Sequence, residues 1–190
     1  MRIKEKLNPD KLFFTSDTHF HHTNILEFCN RPWGDIRTHD LALIQNWNKV
    51  VPYDGKVFHL GDFAMTSNVD YLRELVLRLN GDIYLIMGNH DYRNRMDRES
   101  IKSLFKEVCD IAELNVDGIN LVMCHFPMLY WNRGYYHLHG HIHGGPNSKS
   151  SEIAPKHIKR YDVGVDNNNY RPISFNELIG DKFLKLGFNE

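Results

Sequence analysis

The chain predicts an α/β fold, and three observations carry that expectation. Over its first half, apolar runs with strand character alternate with helical patterns in the order strand–helix–strand–helix–strand. Strand-like segments then dominate. Four of the apolar runs stop abruptly on Asp, Asn or His, as happens where buried strands deliver polar side chains to the carboxyl edge of an open sheet.

Leu12-Phe13-Phe14 opens the order as a strand. Thr23 to Phe28 suits a short helix, ended near Arg31-Pro32-Trp33-Gly34. Thr38 can cap a second helix, with Leu41, Ile44, Trp47 and Val51 at helical spacing and Pro52 as its stop. Val57-Phe58-His59-Leu60 is the second strand. Asn68 can cap a third helix, whose buried stripe is Val69, Leu72, Leu75, Val76 and Leu79, with Gly81 as terminator. Ile83 to Met87 is the third strand, and Asp97 to Phe105 patterns as a further helix. Val108 to Leu114 and Ile119 to Cys124 are expected to pair across the turn Asp117-Gly118. Tyr161 to Val165 reads as a late strand, and Ser174 can cap a short terminal helix.

At 190 residues the chain is expected to be one domain, residues 1–190, large enough for a substantial core. Its 23 Lys+Arg balance 24 Asp+Glu, so nothing draws it generally to nucleic acid or to an acidic membrane. Cys29, Cys109 and Cys124 have no framework spacing and read as reduced thiols. The charged start, Met1 to Lys6, lacks the apolar region of a signal peptide. No apolar stretch approaches the roughly 20 residues that span a bilayer. The expected setting is the cytoplasm, with no membrane partner.

The polar strand endings form a set. They are Asp17-x-His19, Gly61-Asp62, Gly88-Asn89-His90, an isolated His125, and Gly140-His141-x-His143. His, Asp and Asn without cysteine favour Zn, Mn, Fe or similar ions over a structural thiolate site. In order and rough spacing the set resembles the calcineurin-like metallophosphoesterase superfamily, in its small bacterial and phage-type form, over residues 17 to 143.

That resemblance implies two mixed β-sheets packed together and flanked by helices, a four-layer sandwich with metals at one edge. It implies a hydrolase of phosphoester bonds with two divalent metal ions (Mn, Fe, Zn or Ni, with Mn the working choice in vitro). Asp17, His19, Asp62 and His143 would hold the first metal. Asp62, Asn89, His125 and His141 would hold the second, with Asp62 touching both. A hydroxide bridging the pair would be the nucleophile, at a metal separation of roughly 3.5–4 Å. His90 would lie over the substrate, stabilising charge or protonating the leaving oxygen. Asp91 could orient His90. Gly61, Gly88 and Gly140 permit the sharp or left-handed turns that aim the next side chain.

Other residues are read more plainly. His137, His139, His141 and His143 alternate, which allows a metal-carrier strip, but Gly140 and Gly144-Gly145 argue for a loop. His139 is expected behind the site or buried, His59 in the core, and His39 and His157 on the surface. His21 and His22 could line the pocket mouth or be solvated. The chain lacks the arginine that protein phosphatases of the superfamily carry after GD, and Gly88-Asn89-His90 continues as Asp91-Tyr92-Arg93. That puts protein-phosphatase activity in doubt. Arg31, Arg93 and Arg133 are candidate substrate contacts, with surface solvation the competing role. Phe126, Tyr130, Trp131, Tyr135 and Tyr136 lie between His125 and His141, where they could stack a base or aryl group or close a small core. Trp131 to Gly134 could act as a lid.

The expected substrate is a small phosphoester, a phosphodiester ahead of a monoester, with nucleotide-derived esters included. A phosphomonoesterase or a nuclease would use the same site. Polynucleotide binding is disfavoured, since no basic stripe interleaved with aromatics is present. A non-catalytic scaffold is disfavoured because every ligand position is filled.

Overall fold

Leu12–Thr15 is buried along its whole length, so β1 is a strand with both faces covered. The computed structural model describes residues 7–93, 98–144 and 159–180, with residues 93 and 98 described by backbone alone. β1 pairs in parallel with β2 (Lys56–His59), β2 with β3 (Asp82–Ile86), and β3 with β4 (Glu107–Cys109). β9 (Ile173–Ser174) adds antiparallel on the other side of β1, completing a five-stranded mixed sheet. A four-stranded mixed sheet follows. β5 (Ile111–Val116) pairs antiparallel with β6 (Ile119–Cys124), and β7 (Tyr136–His139) and β8 (Arg160–Asp162) extend it in parallel. The β5–β6 turn has positive φ at both Asp117 (48°) and Gly118 (86°), as a two-residue hairpin needs.

Strand alternation divides the core in two. Leu12, Phe14, Phe58, Leu60, Tyr84 and Ile86 point toward the second sheet and meet Ala112, Leu114, Leu121, Met123 and Leu138. Phe13, Val57, Ile83, Leu85 and Val108 point the other way. There they meet Leu43, Ile44 and Trp47 of α2 (Ile36–Val50), Leu72 and Leu75 of α3 (Val69–Leu77), and Ile101 of α5 (Arg98–Lys102). The result is a layered α/β sandwich of two mixed sheets with helices outside. Among the described residues no helix is long and apolar enough to cross a membrane.

α1 (Ile25–Phe28) and the Asn68 and Ser174 caps stand where the sequence predicts them. Several details differ. Asp35, not Thr38, caps α2, its carboxylate accepting from the N–H groups of Arg37 and Thr38. Leu41 faces solvent at 47% exposure while Leu43 and His39 turn inward. The run Val108 to Leu114 is not one strand but two: it breaks at Asp110, and β4 joins one sheet and β5 the other. β8 is shorter than Tyr161–Val165 and gives way to a single 3-10 turn at Val165–Asn167. The start of the helix predicted at Asp97 lies outside the described residues.

β1, β2 and β3 run in parallel, as do β6, β7 and β8. Six carboxyl ends are thereby available to build one site.

Candidate metal centre

Beyond β1 and β2 the two chains stay zipped. Asp17 N–H donates to Gly61 O (2.9 Å), His19 N–H to Asp62 O (3.0 Å) and Phe20 N–H to Phe63 O (3.0 Å). The backbone is strained where it turns. Asp17, His19, Asp62, His141 and His143 all have positive φ (57, 49, 55, 73 and 43°). Non-glycine residues held there cost about 1 kcal/mol or more each and cluster at functional sites. Gly61 is itself left-handed, at φ 96°. Gly88 and Gly140 are not. Their role is close approach, because a Cβ at Gly88 would enter the Asp62 carboxylate and one at Gly140 would strike Ser16 and Asp17.

These loops bring all eight residues singled out by the five motifs to one edge. Asp17, His19 and His143 offer ligand atoms within 4.8 Å of one another, as do Asp62, His125 and His141. Asp62 lies between the groups. Its Oδ1 accepts from His90 N–H (2.8 Å). Its Oδ2 stands 3.6 Å from His19 Nε2 on one side and 3.5 Å from His125 Nε2 on the other. Asn89, at the start of α4 (Asn89–Arg93), has its amide oxygen 3.0 Å from His125 Nε2. The His90 ring packs 5.1 Å from that of His19 and 5.8 Å from that of His22, which assigns His22 to the pocket. His21 instead lies against Tyr71.

The donor set fits a cation. His125 Nδ1 is 2.7 Å from the carbonyl of Leu60, which can only accept, so Nδ1 carries the proton. In the neutral ring, Nε2 then presents a lone pair toward the Asp62 carboxylate. His143 Nδ1 is similarly engaged by Asp166 Oδ2 (2.8 Å), and His19 Nδ1 by His22 Nδ1 (3.1 Å). A histidine whose far nitrogen is held while the other faces a carboxylate is arranged as metal ligands are. His19 Nε2 is also buried with no hydrogen-bond partner. A metal ion would satisfy it.

Burial and charge also shift the titration of these residues. Burial pushes Asp62 up to about 7, with Asp17 adding to the rise against the pull of His125. Burial, with His143 and Arg31 nearby, holds His19 well below its ordinary value. Burial would lower His143 too, but its bond to Asp166, with Cys29 and Asp17 close by, lifts it to about 11.

Several sequence assignments change. Asp91, expected beside His90, bonds instead to backbone groups. It is fully buried and accepts from the N–H groups of Asp62, Gly88 and Phe63 (2.8, 2.8 and 3.0 Å), clamping the second and third loops together. Asp162 does similar work in the other sheet, accepting from Gly164 and Gly144 N–H. Arg31 is no substrate contact, being 4% exposed and bonded within the protein. Arg133 is exposed; the Arg93 side chain and His157 lie outside the described residues. His39 is buried, not on the surface, against Arg31.

His59 sits in the core with Nε2 2.9 Å from Thr18 Oγ1, and His137 and His139 are buried in β7, which ends before Gly140. The aromatic segment divides. Phe126 packs on His125 and His141 at the rim, while Trp131 covers His137. Asp166 and Cys29, which group with His143, were missed. Asp166 follows a strand as the candidate ligands do, and that signal could have found it.

No protein-family model matches the chain. The uncharacterized protein MJ1445 of Methanocaldococcus jannaschii is 34% identical over 180 residues, covering 93% of this chain and 93% of its own. The chain belongs to the family of that archaeal protein. The Gene 66 protein of Mycobacterium phage L5 is 29% identical over 184 residues, 81% of this chain and 86% of the phage protein. A protein of unknown function from Aquifex aeolicus has a crystal structure of the same fold. Its TM-score is 0.70 at 26% identity, over 88% of this chain and 97% of that one. A novel archaeal phosphodiesterase aligns at TM-score 0.46 and 18% identity, over 80% of this chain and 81% of that one, too loosely to carry an argument.

Proposed function

We propose that the protein is a metal-dependent phosphoesterase with a binuclear centre. The observation that carries the reading is Asp62, whose Oδ2 stands between a histidine of each ligand group. Asp17, His19, Asp62 and His143 would hold one divalent ion, and Asp62, Asn89, His125 and His141 the other. Mn, Fe, Zn and Ni all suit such donors. When bound, the pair supplies charge neutralisation for phosphate oxygens and a water acidified enough to attack phosphorus near neutral pH.

The chain's own residues do the rest. The His90 N–H fixes the Asp62 carboxylate, and the His90 side chain, beside His19 and His22, gives its proton to the departing ester oxygen. Asp91 keeps Asp62 and Asn89 in register. A small phosphodiester is the favoured substrate, a nucleotide-derived one included. Phe126, 44% exposed on the rim, offers a face for a base or aryl group. Near-neutral charge disfavours a polynucleotide track. The compartment in this reading is the cytoplasm, in keeping with Cys29, Cys109 and Cys124 outside any disulfide.

The test is hydrolysis of bis-p-nitrophenyl phosphate beside p-nitrophenyl phosphate by protein stripped and reloaded with manganese. Faster diester turnover is expected. Faster monoester turnover would make the protein a phosphomonoesterase with the same ligands. No turnover of either would remove the reading.

A further inference from the structure

We propose that Asp166, gripped by Arg31, is the positioning residue for His143 and so sets metal affinity in one half of the centre. The inference rests on the binuclear reading above. Asp166 lies in the turn after β8, tied to the end of β1 by the Ser16–Gly164 bridge and by Val165 N–H to Ser16 O (3.1 Å). Its Oδ2 accepts from His143 Nδ1 at 2.8 Å. That bond places the proton on Nδ1 and leaves Nε2, 3.9 Å from Asp17 Oδ1, as the ligating atom.

Arg31 makes the arrangement one-way. Its Nε and Nη2 both donate to Asp166, at 2.9 Å each. The same guanidinium donates from Nη2 to Asp17 O (2.6 Å) and from Nη1 to Thr18 O (2.9 Å), holding the strained loop between Asp17 and His19. Nη1 also meets His39 Nε2 at 2.8 Å. Arginine only donates, so that nitrogen must accept, and His39 Nδ1–H is left to donate to Asp40 Oδ1 (2.8 Å). Arg31 thus fixes Asp166 and the Asp17 loop together, and is itself fixed from α2. Both oxygens of Asp166 face donors. Oδ1 faces Arg31 Nε, and Oδ2 faces both Arg31 Nη2 and His143 Nδ1. An asparagine there sets its NH2 against Arg31 whichever way it turns, and even with its oxygen toward His143 it offers the imidazole a neutral acceptor in place of a carboxylate, which weakens the bond that fixes Nδ1–H.

The experiment compares wild type, Asp166→Asn, Arg31→Lys and His143→Ala. Manganese binding is read by equilibrium dialysis, and the imidazole proton by long-range proton–nitrogen spectra of the zinc-loaded protein. Wild type is expected to hold two ions. Asp166→Asn should bind one of them about 10–100-fold more weakly, the range for outer partners of metal histidines. Its His143 Nδ1–H resonance should move upfield, as when a carboxylate acceptor becomes a neutral amide, which loss of a merely structural contact elsewhere would not produce. If Asp166→Asn fails to fold, Arg31→Lys, which keeps the charge but loses the two-pronged grip, should show a smaller loss of the same ion. Two ions bound by wild type, with unchanged affinity and an unmoved Nδ1–H resonance in the folded variants, would overturn this inference alone. Fewer than two ions in wild type, or both retained in His143→Ala, would overturn the binuclear reading and this inference with it.

Discussion

The two groups of candidate ligands differ by one asparagine and are braced unequally. Asp17 and His19 are buried, and His143 is held by a carboxylate that is itself held by a buried arginine. In the other half His125 is buried and pinned to a backbone carbonyl, yet His141 is exposed and Asn89 brings a neutral oxygen. Preorganised ligands lose less freedom when an ion arrives, and buried charges attract it more strongly. The difference teaches that, in the proposed centre, the braced group would hold its ion tightly and the other would hold an exchangeable one. In the proposed reaction, the second suits contact with an incoming phosphate.

Asp62 belongs to both halves, so its loss breaks the comparison altogether. Asp62→Ala should reduce hydrolysis by roughly 1000-fold or more, well beyond the roughly 10–100-fold expected for an outer partner. Metal content should fall in both halves. Activity retained with two ions bound would end the bridging assignment.

That these residues share one edge was legible in the sequence because they follow strands, while their roles as ligands are what the resemblance implies. Once Leu12-Phe13-Phe14, Val57-Phe58 and Ile83 to Ile86 are read as buried and parallel, their carboxyl ends must share an edge, whatever the sequence separation. The bracing was not legible. Arg31 meets Asp166 across 135 positions, and nothing local separates a buried guanidinium from a phosphate contact. His39 reads as surface while Thr38 is taken as the cap of α2; its burial comes from tertiary contact with Arg31 and Trp33. The break at Asp110 is a choice between two sheets, and both halves of that run carry strand character. Asp91 stands beside His90 in the sequence, yet the partners that hold it include backbone groups of another loop.

Paired substitutions sharpen the comparison with a smaller effect. His19→Ala removes a ligand from the braced half and should cost the tighter ion roughly 100-fold or more in affinity. His141→Ala should cost the weaker ion about tenfold, since solvent can take the vacated position on an exposed side. Manganese titration of both variants measures this directly. Equal losses would mean that burial and the Arg31–Asp166 brace do not rank the halves.

The most diagnostic prediction is the dependence of binding on pH. Asp62 is raised to about 7 and His143 to about 11. A raised value means that the folded, metal-free protein keeps that proton, and an entering cation must displace it. Affinity therefore rises with pH, by about tenfold per unit for each proton expelled. The ion entering the braced half first displaces both protons below about pH 7, and only that of His143 above it. Its affinity should steepen to about a hundredfold per unit in the acid range and relax to about tenfold beyond neutrality. The second ion then finds Asp62 already ionised, so these two groups give it no pH dependence. Manganese titrations at pH 6, 7 and 8 read both slopes. If the weaker ion carries the steep dependence instead, the exposed half fills first and the ranking of the halves is reversed.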